Sequence, residues 1–183
     1  MGRCSRREFL KIGTGFLVTG LVPATGWSAL SPDDHRRFLA FFNTHTGERL
    51  RVCYYKNGAR CPDALQRINH ILRDHRTGDV KAMDPRLVDL LYTVNRRLNP
   101  GAAFHIISGY RSPKTNSLLR KSSTGVAKFS LHMLGRAIDI RLPGCDTRKL
   151  RQACLNLKLG GVGYYPRSDF VHLDTGKFRS WSG

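Results

Sequence analysis

Two histidines and one aspartate in the C-terminal part of the chain have the residue types and the spacing of a metal site. His132 and Asp139 are seven residues apart, and His172 follows further along the chain. Two imidazole nitrogens with one carboxylate oxygen form a frequent ligand set of catalytic zinc, in which the fourth position stays open for water and the metal makes that water more acidic. The sequence therefore predicts one bound Zn2+ ion held by His132, Asp139 and His172.

The elements predicted around these residues turn all three towards one cleft. Segment 136–142 is predicted as a strand whose two isoleucines face the core, so Asp139 faces the opposite side. A glycine between the first two ligands lets the chain bend and brings His132 back beside Asp139. The same alternation in segment 170–173 turns His172 away from the core.

The other segments predict one α+β domain over residues 30–183, with helices packed on a mostly antiparallel sheet. Helices are indicated by apolar residues at 3.6-residue spacing, and strands by short alternating runs. The second helix has the clearest start, with Asp84 as cap and Pro85 at its first position. Predicted helices cover residues 63–75, 85–99, 114–121 and 146–157; predicted strands cover 38–42, 49–55, 104–108, 136–142, 162–165 and 170–173.

The N-terminus resembles a twin-arginine export signal. Residues 5–11 read Ser-Arg-Arg-Glu-Phe-Leu-Lys, and an apolar run of about 13 residues, interrupted by glycines and Pro23, follows them. A transmembrane helix needs about 20 apolar residues, which makes a membrane anchor the weaker alternative. We therefore predict a signal over residues 1–29, cleaved near 24–29, with export through the twin-arginine machinery to the periplasm or beyond, and no stable membrane insertion after cleavage.

The chain carries a large positive charge. Its 31 Lys and Arg residues outnumber 13 Asp and Glu residues, for a formal net charge of +18. Such a surface attracts polyanions, and charge alone does not separate nucleic acid, anionic lipid and the cell-wall polymer. Outside the cytoplasm chromosomal nucleic acid is absent, so the predicted export favours peptidoglycan as the partner and argues against nucleic acid.

Four cysteines lie beyond the predicted signal: Cys53, Cys61, Cys145 and Cys154. An even number in an oxidising compartment permits two disulfides. An Asn-Gly turn between the first two favours a local bridge, and the last two are similarly close in the chain. We expect at least one bridge, with four unpaired thiols as the alternative.

Segment 130–139 reads Ser-x-His-x-x-Gly-x-Ala-x-Asp and is followed by a C-terminal histidine on a strand. This pattern resembles the signature of the LAS zinc metallopeptidases, which include D-Ala-D-Ala carboxypeptidases, D-Ala-D-Ala dipeptidases and phage endolysins. Within them the chain is most similar to the periplasmic murein endopeptidase K group. The resemblance covers nearly all of the mature chain and extends to segments 43–48, 108–112, 125–128, 160–168 and 170–176.

The resemblance implies a hedgehog/DD-peptidase-type fold and the cleavage of stem-peptide cross-links in peptidoglycan. It implies that Arg111 binds substrate and stabilises the oxyanion, and we expect Tyr110 and Ser130 to be further substrate-binding residues. A catalytic base is expected three residues before the last ligand, where Asp169 stands; Asp174 is its rival.

Three other functions remain open at this point. The chain can be a D,D-carboxypeptidase or dipeptidase acting on wall peptides, or a wall-binding module of the same fold without activity. Charge alone also allows a nucleic-acid-binding protein, against which the export signal argues. The bond that is cut is equally open among D-Ala to diaminopimelate, diaminopimelate to diaminopimelate, and a terminal D-Ala-D-Ala.

Overall fold

A computed structural model of the chain describes residues 36–122 and 125–183. The predicted export signal, residues 1–29, lies outside them. No helix within the described ranges is both long and apolar enough to cross a membrane. The strands are β1 (Arg37–Asn43), β2 (Arg49–Lys56), β3 (Ala59–Arg60), β4 (Phe104–Ser108), β5 (Ala137–Arg141), β6 (Gly161–Tyr165), β7 (Phe170–Asp174) and β8 (Arg179–Ser182); the α-helices are α1 (Pro62–Ile71), α2 (Pro85–Leu98), α3 (Pro113–Ser122) and α4 (Thr147–Leu157).

The eight strands form one sheet in the order β3-β2-β1-β4-β5-β7-β6-β8. Neighbouring strands are antiparallel except for the pairs β1 with β4 and β6 with β8. The predicted α+β class and the mostly antiparallel sheet are therefore confirmed.

One face of the sheet carries the hydrophobic core. Side chains that alternate towards this face, such as Phe41 and Ile140, are almost fully buried, and α1, α2 and α4 pack on them. Each such burial contributes roughly 1.5–3 kcal/mol. On the other face, the segment that carries the predicted metal ligand His132 packs against β5.

Helix α2 begins as predicted, and α1 ends earlier than predicted. The Asp84 carboxylate accepts a hydrogen bond from Arg86 N at 3.0 Å, with Pro85 in the first turn. Helix α1 ends at Ile71, four residues before the predicted end at 75. The residues beyond it accept hydrogen bonds from the loop at residues 108–112: the Leu72 carbonyl from Tyr110 N and the Asp74 carboxylate from Ser112 N.

Strand β8 was not predicted. Arg179–Ser182 has no run of alternating apolar residues, and it joins the sheet edge in parallel with β6. Its position matters because it contributes one wall of the cavity described below.

The prediction of at least one disulfide is wrong, since all four described cysteines are free thiols. Cys53 alternates with the core residues of β2 and so faces away from α1, whereas Cys61 immediately precedes α1 and packs against the core. Cys154 is fully buried in α4, where burial raises the pKa of its thiol to about 12. The Cys145 thiol donates to the backbone oxygen of Asp146.

Candidate metal centre

Three ligand atoms converge on one point, as predicted for His132, Asp139 and His172. The distance from His132 Nε2 to His172 Nδ1 is 3.2 Å, and Asp139 Oδ1 lies 2.8 Å from His172 Nδ1 and 3.3 Å from His132 Nε2. Tetrahedral ligands with metal bonds of 2.0–2.1 Å lie about 3.3 Å apart, so the triangle has the size that such an ion needs. The three residues are 2%, 6% and 9% exposed, and they form the one cluster of this kind among the described residues.

Two adjacent strands and a 3-10 helix position these ligands. Asp139 of β5 lies directly opposite His172 of β7 in the antiparallel register. His132 comes from the 3-10 helix Leu131–Leu134, which ends at Gly135 in the left-handed region with φ 67°. A Cβ at Gly135 would lie 2.4 Å from the backbone oxygen of Ala82, so glycine is required for this turn.

Hydrogen bonds fix the tautomer of each histidine. His132 Nδ1 lies 2.7 Å from the Gly109 carbonyl oxygen, which can only accept, so Nδ1 carries the proton and Nε2 offers its lone pair. His172 Nε2 lies 3.1 Å from Asp174 Oδ2, which leaves Nδ1 free for a metal. Such partners orient metal-binding histidines and increase their basicity.

Asp174 lies behind His172 and is fully buried. Its oxygens accept hydrogen bonds from Gly161 N, Gly176 N and the Arg179 guanidinium. Burial alone would raise the pKa of Asp174, but the bonds from His172 and Arg179 hold it well below its usual range. The Asp174 carboxylate is therefore ionised, both of its oxygens accept hydrogen bonds, and it does not line the cavity. These properties suit a residue that orients His172 better than one that transfers a proton.

The charges at the centre favour a cation. Burial would raise the pKa of Asp139, but His132 and His172 hold it well below its usual range. Burial would lower the pKa of His172, but the hydrogen bonds that its ring donates to the Asp139 and Asp174 carboxylates raise it to about 9. A proton and a metal ion consequently compete for His172 Nδ1 at neutral pH.

Arg111 lies beside the ligands. Its NH2 group is 3.5 Å from Asp139 Oδ2 and 3.3 Å from Ser108 Oγ, while its backbone N–H donates to the His132 carbonyl oxygen at 3.3 Å. Burial lowers the pKa of Arg111, and the nearby Asp139 offsets only part of this effect. Its buried Nε has no hydrogen-bond partner among the described residues, so one donor is left for a substrate.

A buried aspartate that the sequence analysis missed holds the Arg111 loop. Asp74, 2% exposed, accepts hydrogen bonds from Ser112 N at 2.8 Å and from Arg76 N at 2.9 Å. Burial would raise the pKa of Asp74, but its hydrogen bonds lower it to about 2. No sequence pattern marks this residue, because its partner Ser112 is 38 residues away.

Asp74→Asn is expected to lower the free energy of unfolding by about 2 kcal/mol at pH 7. The folded-state pKa lies below the unfolded value of about 3.9, so this stability is present above about pH 4 and is lost as the pH falls towards 2. Urea unfolding should separate variant from wild type at pH 7 and bring them together near pH 2. The control is Asp63→Asn, at an exposed position. A difference in unfolding free energy between Asp74→Asn and wild type that persists at pH 2 would contradict this account.

The ligands open onto a cavity of about 520 Å3. Strand β8 forms one wall, where Trp181 Nε1 donates to the Tyr165 hydroxyl at 3.0 Å. The Tyr165 ring stacks on Phe170, with ring centroids 4.5 Å apart. Asp139 is the sole acidic residue among the described lining residues, which also include Arg111 and Arg179, so the cavity suits an anionic substrate.

The remaining predicted site residues lie at different distances from the ligands. Ser130 lines the cavity, and its Oγ accepts a hydrogen bond from His132 N. Tyr110 binds the Leu72 carbonyl oxygen through its backbone and is not among the lining residues. Asp169 is not among the described lining residues; its side chain is 60% exposed and 3.7 Å from Arg141, and its chain neighbours Ser168 and Phe170 line the cavity.

Comparison with known proteins agrees with this geometry. The family model described as "Peptidoglycan L,D-endopeptidase MepK" matches residues 31–181. The chain belongs to this family. The predicted membership in the murein endopeptidase K group of metallopeptidases is thereby confirmed.

Individual members of the MepK family match over nearly the whole chain. The peptidoglycan L,D-endopeptidase MepK of Escherichia coli K12 is 40% identical over 177 residues, which are 97% of each protein. The probable peptidoglycan L,D-endopeptidase MepK of Haemophilus influenzae is 38% identical over 180 residues, which are 98% of this chain and 96% of the relative. No solved structure matches the chain.

The donor set fits the metal of a metallopeptidase. Two neutral imidazole nitrogens and one ionised carboxylate suit a borderline divalent ion such as zinc, and the orphaned Arg111 Nε points to a site built to receive a further group. His132, Asp139 and His172 would hold the ion.

Proposed function

We propose that this chain is a zinc-dependent peptidoglycan endopeptidase that cleaves an L,D-bond in stem-peptide cross-links. The observation that carries the proposal is the buried triangle of His132, Asp139 and His172 beneath a positively charged cavity. Relatives that are 40% identical over 97% of the chain bear the name peptidoglycan L,D-endopeptidase, which supports both the substrate and the type of bond.

Zinc bound at the triangle would supply Lewis acidity, which polarises the peptide carbonyl and acidifies a water molecule. The Gly109 carbonyl and the Asp174 carboxylate accept hydrogen bonds from the outer nitrogens of His132 and His172, which orients the opposite nitrogens towards the centre. Arg111, held next to Asp139, donates from its planar fork to the oxygen on which negative charge develops.

Asp169 is the proposed proton acceptor. Asp174 is fully hydrogen-bonded behind His172, whereas Asp169 is exposed and has only Arg141 as an ion-pair partner among the described residues, at 3.7 Å. Ser168 and Phe170, its neighbours in the chain, both line the cavity, so the turn that carries Asp169 borders the space for the substrate. A carboxylate in this place would pass the proton to the leaving amine.

A peptidoglycan enzyme works in the cell envelope. We propose that residues 5–11 direct the chain to the twin-arginine machinery, which carries folded proteins and so allows the metal to be loaded before export. Ser-Arg-Arg-Glu-Phe-Leu-Lys followed by a short, glycine-interrupted apolar run supports this route.

Digestion of purified peptidoglycan sacculi tests the function. The protein should release muropeptides, a chelator should stop the release, and added zinc should restore it by refilling the site formed by His132, Asp139 and His172. Mass spectrometry of the products assigns the bond. Absence of chelator-sensitive products would refute the proposed activity, and removal of terminal D-Ala without loss of cross-links would refute the proposed bond.

A further inference from the structure

A row of side chains crosses the open face of the sheet and ends near the cavity. Arg49 of β2 lies opposite Phe42 of β1, Phe42 lies opposite His105 of β4, and His105 lies opposite Arg141 of β5. These four residues, here called the arginine row, alternate with core residues and so point away from α1, α2 and α4.

Aromatic rings hold the cations of this face flat. The Arg49 guanidinium carbon lies 4.3 Å from the centre of the Phe42 ring, and Phe42 packs edge-on to His105 with centroids 4.9 Å apart. Arg51, two residues along β2, lies over Phe38 at 5.7 Å. A guanidinium stacked on a ring keeps its N–H edges free for a carboxylate.

Acidic side chains of the described residues leave most of the positive charge on this face unpaired. Arg49 and Arg51 are exposed, and neither forms an ion pair within the part of the chain that the structure describes. Burial, together with Arg141 and Arg49, lowers the pKa of His105, so the centre of the row stays neutral. With Asp169 as the acid paired to Arg141, the face keeps a net positive charge.

The row leads into the cavity. Arg141 NH2 donates to the Ser168 carbonyl oxygen at 3.3 Å, and Ser168 lines the cavity. Strands in a sheet are about 4.8 Å apart, so Arg49 lies roughly 14 Å across the sheet from Arg141, which is the length of about four extended residues. A polymer that enters the cavity can therefore reach Arg49 with a neighbouring segment.

We propose that the arginine row and Arg51 bind a carboxylate-bearing stem peptide of uncleaved peptidoglycan that adjoins the cross-link in the cavity. Separate guanidinium groups spaced by aromatic rings suit discrete carboxylates better than the dense phosphates of a nucleic acid. This inference rests on the proposed function, since it extends the substrate of the same site. A small soluble substrate has no adjoining peptide and does not use the surface.

The test compares intact sacculi with a soluble cross-linked muropeptide dimer. Arg49→Gln with Arg51→Gln should lower kcat/KM on sacculi roughly tenfold at low salt and leave kcat/KM on the dimer within about twofold. High salt should shrink the difference on sacculi. The matched control is Arg148→Gln with Lys149→Gln, which removes the same charge from exposed positions in the first turn of α4.

Each contrary result has its own meaning. Equal losses on both substrates, no loss on sacculi, or an equal loss in the control would overturn the proposal. Weaker retention of DNA without slower sacculus cleavage would assign the surface to another polyanion and also overturn it. If wild type cleaves neither substrate, the proposed function fails instead, and co-sedimentation of the same variants with sacculi still tests the surface.

Discussion

Replacing His172 by alanine is expected to remove the bound metal and to lower kcat/KM on cross-linked peptidoglycan by more than about a thousandfold. The variant leaves His132 Nε2 and Asp139 Oδ1 as two donor atoms 3.3 Å apart, and two donors do not close a catalytic zinc site. The substitution also removes the hydrogen bond between His172 and Asp174, but the Asp174 carboxylate keeps its ion pair with Arg179. Zinc content after dialysis and the rate of muropeptide release measure the two losses.

Control variants separate loss of metal from loss of fold. His70 has a side chain that is 62% exposed and lies outside the cavity, so His70→Ala should keep one zinc ion and full activity. Asp174→Asn should retain all three ligands while weakening metal affinity by about 10-fold to 100-fold, because His172 loses its charged partner. His172→Ala that stays folded and still holds one zinc ion per chain would contradict the ligand assignment.

The metal centre could be predicted because its geometry is largely local. Alternation in β5 and β7 turns Asp139 and His172 to the same face, and antiparallel pairing places them opposite each other. The turn at Gly135 brings in His132 through a few residues of chain. Motif spacing therefore contained most of the information that fixes these three side chains.

The groups that support the centre could not be predicted in the same way. Asp74 acts on a residue 38 positions away, and Arg179 reaches the cavity only because β8 pairs in parallel with β6. Asp174 alternates onto the same face as His172, which the sequence showed, but its position behind the ring also depends on the backbone N–H of Gly161, 13 residues away at the start of β6. Long-range pairing of this kind leaves no periodic trace in the chain.

The cysteine prediction failed for a related reason. Proximity in the chain suggested that Cys53 and Cys61 meet across the turn at the β2 to β3 connection. Strand alternation sends Cys53 to the open face, while Cys61 continues into α1 on the core face. The turn between the two cysteines was predicted correctly. Their side chains point to opposite faces of the sheet, however, and so do not form a disulfide.

Arg111→Lys is expected to lower kcat by about 100-fold or more, with zinc content unchanged. Lysine keeps the positive charge beside Asp139, which lies 3.5 Å from the guanidinium, so the ligand triangle should persist. It loses the planar fork that lets one group pair with Asp139 and Ser108 while Nε remains available to the substrate. The expected loss therefore falls on the transition state.

The split between kcat and KM distinguishes the two possible uses of Arg111. A donor to the developing oxyanion acts on kcat, whereas a clamp on a substrate carboxylate raises KM and leaves kcat close to wild type. Arg73→Lys is the matched control, since Arg73 is a partly buried arginine paired with Glu48 outside the cavity. A higher KM with unchanged kcat would move Arg111 from catalysis to binding.

Asp74 holds Ser112, the residue that follows Arg111 in the chain. Asp74→Asn should loosen this loop and therefore lower kcat in the same direction as Arg111→Lys, but by a smaller factor.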